Sequence, residues 1–242
     1  MPTSTSPLAL SNLFSVESKI VVVTGGGTGI GRMISESFAV NGSKVYITGR
    51  RKDVLEKTAE EINAKVKGQS GTGQVVAIQG DVSSKAKVKE FHAQIAALED
   101  KLDVLINCAG VLIPFNSPAK DHNDVNVAGP YFVTTAFAPM LTKSDNASVI
   151  NIASIAPMAL QKYGIRVNAI APGLFRSYMT GDGTNLAPHV QQVVHTVPAG
   201  RVGDASDIAG PCIMLASTAG AYINNATIVV DGGRLMTLSS MV

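Results

Sequence analysis

The passage from Lys19 to Gly31 constrains this chain most. Lys19 to Thr24 (KIVVVT) is an apolar, β-branched run without polar alternation, the pattern of a strand covered on both faces. It opens directly onto TGGGTGIG at residues 24–31, and Gly29 to Val40 continues with helical spacing. Strand, glycine turn and helix in that order leave free backbone N–H groups at a helix N-terminus. No side chain stands in front of them. That arrangement suits a pyrophosphate. A glycine-rich turn that holds nothing is the plainer alternative.

The same alternation runs through the chain. Further strands are expected at Lys44 to Thr48, Gln74 to Gln79, Leu102 to Asn107, Ser148 to Ile152, Ile165 to Ile170 and Ala226 to Val230. Helices are expected at Asp53 to Lys67, from the N-cap Ser84 to about Leu98, at Val127 to Leu141 and at Ala205 to Ser217. Strands alternating with helices predict an α/β fold with a doubly wound parallel sheet, Rossmann-like, of about seven strands with helices on both faces. A single domain over residues 18–242 is expected, preceded by a loose arm over 1–17.

One connection is too short. Parallel neighbours need a crossover of about a dozen or more residues, usually a helix. Between Ser154 and Ile165 stand ten residues, one of them Pro157. A helix running back along such a strand needs roughly 13 residues before loops are counted. A helix expected on physical grounds is therefore missing.

Bulk properties exclude several classes. With a net charge of +2 and no basic cluster beyond Arg50, Arg51 and Lys52, no nucleic-acid surface is expected. No apolar run is long enough to span a bilayer, and residues 1–17 lack the basic start of a secretory signal. Cys108 and Cys212 lie in apolar stretches and read as reduced, buried thiols. A reducing, cytoplasmic setting is the expectation. The four histidines show no metal spacing, and His92 is expected to be exposed on its helix.

Several motifs in order carry a resemblance. They are TGGGTGIG at 24–31, GDV at 80–82, NCAG at 107–110, NVAG opened by Asn126, NIAS at 151–154, IRVNAIAPG at 165–173, RVGDASDIA at 201–209 and DGG at 231–233. Together they resemble the short-chain dehydrogenase/reductase family over nearly the whole chain after the arm. The resemblance implies hydride transfer between a nicotinamide and a ketone or secondary alcohol, most simply reduction of a mainly apolar carbonyl compound. It implies a cofactor site made by Gly25, Thr28, Gly29, Ile30 and Gly31, by Asp81 and Val82, by Asn107, Ala109 and Gly110, and by Pro172, Gly173, Leu174 and Ser177. Asn107 also reads as an ordinary strand-end residue. Ser154 matches the family's substrate-binding serine, and Asn126 the asparagine of its proton relay. Leu112, Ile113, Phe115, Leu174, Phe175, Tyr178 and Met179 fall where the family borders its substrate cleft. A homodimer or homotetramer is implied in the same way.

The strand at Lys44 to Thr48 ends in Gly49, Arg50 and Arg51, with no acid until Asp53. A carboxylate there would meet the ribose 2′-hydroxyl of NAD(H), whereas a guanidinium suits the 2′-phosphate of NADP(H). NADP(H) is the expected cofactor and NAD(H) the alternative.

The chain departs from the family at the proton donor. The residues four after Tyr46, Tyr131, Tyr163, Tyr178 and Tyr222 are Arg50, Thr135, Val167, Asp182 and Ala226, so no tyrosine-lysine pair exists. The family carries that pair on the crossover that is short here. Tyr163 reads as the lead-in to the strand at Ile165. The crossover argument leads to the expectation that the working protein contains an interior segment absent from this sequence, through an internal deletion, a spliced form or residues not seen in a structure. The rival reading is a catalytically dead NADP(H)-binding regulator or scaffold.

Overall fold

The computed structural model describes residues 6–69, 71–111, 123–152, 163–177, 180–181 and 185–238. Its centre is a seven-stranded parallel sheet of β1 (Ile20–Thr24), β2 (Lys44–Gly49), β3 (Gln74–Gln79), β4 (Val104–Asn107), β5 (Ser148–Ile152), β6 (Arg166–Pro172) and β7 (Thr227–Val230). The order across the sheet is β3-β2-β1-β4-β5-β6-β7. It reverses between β1 and β4, where Val21 pairs with Val45 on one side and Val104 on the other. Ligands of such sheets bind at that reversal, outside the carboxyl ends of the strands.

Strand alternation sorts the core into two layers. Val21 and Val23 face α2 (Gly29–Val40) and α3 (Lys52–Val66), in a cluster with Ile34, Phe38 and Ile62. Val22 faces the other way, toward α4 (Lys85–Ala96) and α5 (Gly129–Leu141), with Phe91 and Phe137. Among the described residues, α6 (Pro188–Val194), α7 (Ala205–Ala216) and α8 (Arg234–Leu238) complete the α-helices after a short N-terminal turn, Leu10–Leu13. The turn Leu10–Leu13, α6 and α8 carry no strong sequence pattern and were not expected.

Two expectations need correction. The arm over 1–17 docks at its end. Val16 is buried in the core, its carbonyl accepts from Ser43 Oγ at 2.6 Å, and the Ser18 N–H donates to Gly42. His92 is half-buried, not exposed. Its ring meets Phe137 edge-on at 4.7 Å, and its Nε2 is buried without a hydrogen-bond partner among the described residues. Hydrophobic spacing on α4 did not reveal this, because the covering ring comes from α5.

Burial pushes the His92 pKa below its usual 6.5. The fold therefore holds the neutral ring, while the unfolded chain takes up a proton at 6.5. The stability that depends on neutral His92 is complete above pH 6.5 and is lost as pH falls below it. His92→Phe should flatten the fall in melting temperature between pH 7.5 and 5.5. Identical falls in both proteins would show that His92 contributes nothing to acid sensitivity.

β5 and β6 are parallel neighbours in register from Ser148↔Arg166 to Ile152↔Ile170. Residues 153–165 connect them, and the crossover that the sequence marks as short lies mostly outside the described residues, at 153–162.

Candidate nucleotide-binding site

The glycine run folds into a tight turn because backbone fills the space where side chains would stand. Gly25 has φ +69°, and a Cβ there would lie 2.8 Å from the Ala109 Cα. A Cβ on Gly31 would lie 2.8 Å from the Gly25 carbonyl carbon and nearer still to its oxygen. Thr24 fixes the far side, its Oγ1 accepting from the N–H groups of Cys108 at 3.0 Å and Ala109 at 3.1 Å. This threonine was not singled out from sequence, since its partners come from β4. Thr28 caps α2 in extended conformation without a side-chain hydrogen bond, and the first turn of α2 holds no acid. The opening N–H groups of the helix thus face the cleft with their partial positive charge.

Two cavities meet at this turn. The first, about 260 Å³, runs along the ends of β2 and β3 past Gly49, Arg50, Gly80, Asp81 and Val82, and is closed by Ala109 and Gly110. The second, about 760 Å³, lies beyond Gly29, Ile30 and Gly31 and is bordered by Pro172, Gly173 and Ser177. Gly25, Thr28, Arg51, Gly110 and Val111 border both. The sequence-predicted cofactor residues therefore come together, with two exceptions. Leu174 borders a separate cavity of about 220 Å³ beside Arg201 and Asp207. Asn107 borders neither of the two main cavities. It is buried, and its Nδ2 donates to Thr134 Oγ1 and Asn151 Oδ1, which ties β4 to α5 and β5.

Neither the Arg50 nor the Arg51 guanidinium has an ion-pair or hydrogen-bond partner among the described residues, and Gln79 steadies the loop by donating to the Arg50 carbonyl at 2.9 Å. The Thr48 hydroxyl, on the wall of the first cavity, is buried without a partner among the described residues. Burial would raise the Asp81 pKa, but donation from the Lys87 ammonium at 2.7 Å and the Ser83 N–H outweighs it and holds the carboxyl below its usual range. Cys108, half-buried beside the second cavity, has its thiol pushed up to about 12 by burial and is chemically quiet.

Asn126 lies in a π-helical turn, Asp124–Ala128, that leads into α5. Its Oδ1 accepts from the Val111 N–H and its Nδ2 donates to the Val111 carbonyl, both at 2.9 Å. These two bonds pin the end of the NCAG loop to the helix. Ser154 lies outside the described residues, as do Leu112, Ile113, Phe115, Tyr178 and Met179. Tyr163 precedes β6 and so stands at the end of the sheet opposite the cavities. Tyr46 is buried and donates to Glu99, while Tyr131 and Tyr222 are exposed. Among the described residues no group of three or more His, Cys, Asp or Glu could hold a metal, and no helix is long and apolar enough to cross a membrane.

The short chain dehydrogenase family matches residues 19–159, and the enoyl-(acyl carrier protein) reductase pattern matches residues 156–234. The short-chain dehydrogenase/reductase PhomF of Diaporthe leptostromiformis is 31% identical, with 99% of both chains covered. That alignment is 299 positions long against 242 residues here, so the relative carries interior residues that this chain lacks. The rhamnolipids biosynthesis 3-oxoacyl-[acyl-carrier-protein] reductase of Pseudomonas aeruginosa is 31% identical, covering 91% of this chain and 97% of its own. Among solved structures, the Pseudomonas aeruginosa RhlG/NADP active-site complex superposes with a TM-score of 0.80 at 29% identity, covering 92% and 98%.

Proposed function

The chain belongs to the short-chain dehydrogenase/reductase family of oxidoreductases, and from that membership we propose that it is NADP(H)-dependent and works on a ketone/secondary-alcohol pair, chiefly as a reductase of a mainly apolar carbonyl compound. The observation that carries the cofactor half is the pair of guanidiniums just after β2, which have no partner among the described residues, in a stretch whose sequence holds no acid before Asp53. The rest of the cleft fits the same dinucleotide. The glycine turn is packed so closely against backbone that no side chain stands at it, and the Thr48 hydroxyl lacks a partner among the described residues. When bound, the cofactor supplies the hydride chemistry. This chain's residues would bind and orient it: the α2 N-terminus and glycine turn at the pyrophosphate, Asp81 and Val82 at the adenine end, Pro172, Gly173 and Ser177 at the nicotinamide end. Asn126 holds the loop that forms the wall between them. A cytoplasmic setting and a homodimer or homotetramer belong to the same reading.

A second reading is favoured by one observation. No tyrosine precedes a lysine by four residues anywhere in the chain. Loss of a general acid costs about 10²- to 10⁴-fold in rate. On this reading the chain binds NADP(H) as a regulator or scaffold. Titration with NADPH, followed by NADPH oxidation against a panel of aliphatic and aromatic ketones, separates the two. The reductase predicts ketone-dependent oxidation that Ser154→Ala removes. Tight binding with no ketone-dependent oxidation would leave the regulator.

A further inference from the structure

Arg50 and Arg51 are adjacent in sequence but border different spaces. Arg50 borders the first cavity and an outer cleft of about 420 Å³ that includes Gln79 and Glu90. Arg51 borders the first cavity and the second, and does not border the outer cleft. The residues that border both main cavities with Arg51 are Gly25 and Thr28 of the glycine turn together with Gly110 and Val111. That junction is where a dinucleotide crosses from one half to the other, so its pyrophosphate lies there.

The charge inventory points the same way. The run TGGGTGIG contains no cation. Nearby, Arg32 pairs with Glu61 at 2.7 Å, Lys52 with Glu56 at 3.5 Å and Lys87 with Asp81 at 2.7 Å. Arg51 is thus the cation at the junction that has no ion-pair partner among the described residues. It is the N-cap of α3, in extended conformation with φ −93° and ψ 100°, and its side chain is exposed.

We infer that the two arginines serve different phosphates of one dinucleotide, Arg50 the ribose 2′-phosphate and Arg51 the pyrophosphate. Arg50 then sets the choice between NADP(H) and NAD(H). Arg51 raises affinity for both without choosing. The Arg50 half rests on the NADP(H) reading above, whereas the Arg51 half requires only a dinucleotide in the cleft.

The test is calorimetric titration of the whole chain with NADPH and, separately, with NADH. Arg50→Ala should weaken NADPH by about 10- to 100-fold, the worth of one charge-assisted contact, and leave NADH within about 3-fold. Arg51→Ala should weaken both cofactors by the same factor, about 10-fold. Arg51→Lys, which keeps the charge, should recover part of that loss. Selective loss of NADPH in Arg51→Ala would overturn the division by making Arg51 a second reader of the 2′-phosphate. So would unchanged affinity for both. If the wild-type chain prefers NADH and Arg50→Ala changes nothing, the NADP(H) reading fails, and the Arg51 claim is still decided by its NADH titration. Arg51→Gln provides the same comparison should the alanine variant lose its melting transition.

Discussion

Gly31→Ala is expected to lower NADPH affinity by about 100-fold, the worth of two backbone N–H contacts to a charged phosphate at about 1.5 kcal/mol each. The added Cβ would sit 2.8 Å from the Gly25 carbonyl carbon, which is backbone and has no rotamer to yield. α2 is held from below by buried Ile34 and Phe38, so it resists moving. The turn is hemmed in on its other side too, where Gly25 abuts Ala109. The strain is released by lifting the turn out of the shape that receives the pyrophosphate. Gly27→Ala is the control. Its Cβ would meet the end of the Leu55 side chain at 3.1 Å, a group that can rotate away, and the loss should stay within about 10-fold. Titration of both variants with NADPH, beside their melting curves, checks the contrast. Equal affinities in the wild type and Gly31→Ala would mean that the nucleotide binds elsewhere.

Arg166→Met should destabilise the protein by about 3 kcal/mol, a fall in melting temperature of roughly 6–12 °C. Arg166 is 8% exposed and has no carboxylate among its hydrogen-bond partners. Its Nη1 donates to the carbonyls of Leu215 at 2.8 Å and Gly220 at 2.9 Å, and its Nε and Nη2 donate to Asn146 Oδ1. Leu215 lies in the last turn of α7, which has no basic residue of its own, so β6 supplies the cation that this helix end favours. Methionine keeps most of the volume but leaves those acceptors short of donors. Arg166→Lys should recover only part of the loss, because one ammonium cannot reach three acceptors in fork geometry. Arg166 opens β6, at the end of the sheet away from the cavities, so NADPH affinity of the folded variant should be unchanged. A melting temperature within 2 °C of wild type would refute the assignment.

Both residues sit in motifs visible in the sequence, but only Gly31 had a legible reason. The strands could be read because a parallel strand covered on both faces is an unbroken apolar run; β3 and β5 fall where expected. β4 begins two residues late because the N–H groups of Leu102 and Asp103 are taken by Met140 and by Ile20 of β1 before the ladder starts. β6 extends further than expected, since Ala171 and Pro172 pair with β7. The π-helical turn at Asn126 was not legible, because its reason is Val111, on a different loop. Asn107, a cofactor residue by resemblance, has its Nδ2 engaged by Thr134 and Asn151, while its Oδ1 is buried without a partner among the described residues. The roles of Thr48, His92 and Arg166 likewise depend on partners, or on a lack of partners, that only the packed fold decides.

The position of β1 at the reversal in strand order bears on how the molecule is made. Its ladder to β2 closes a short loop, whereas its ladder to β4 closes a long one; the Thr24 contact with Cys108 spans 84 residues. Closing the longer loop costs more chain entropy, so that pairing belongs to the later stages of folding. The glycine turn and the NCAG loop face each other across this late seam. A fragment formed before that seam closes would lack one wall of the proposed site, so a nucleotide would recognise the finished domain alone. Its binding energy is then added to the stability of the whole sheet, about 2.7 kcal/mol at a hundredfold excess over Kd, rather than to any one element of it.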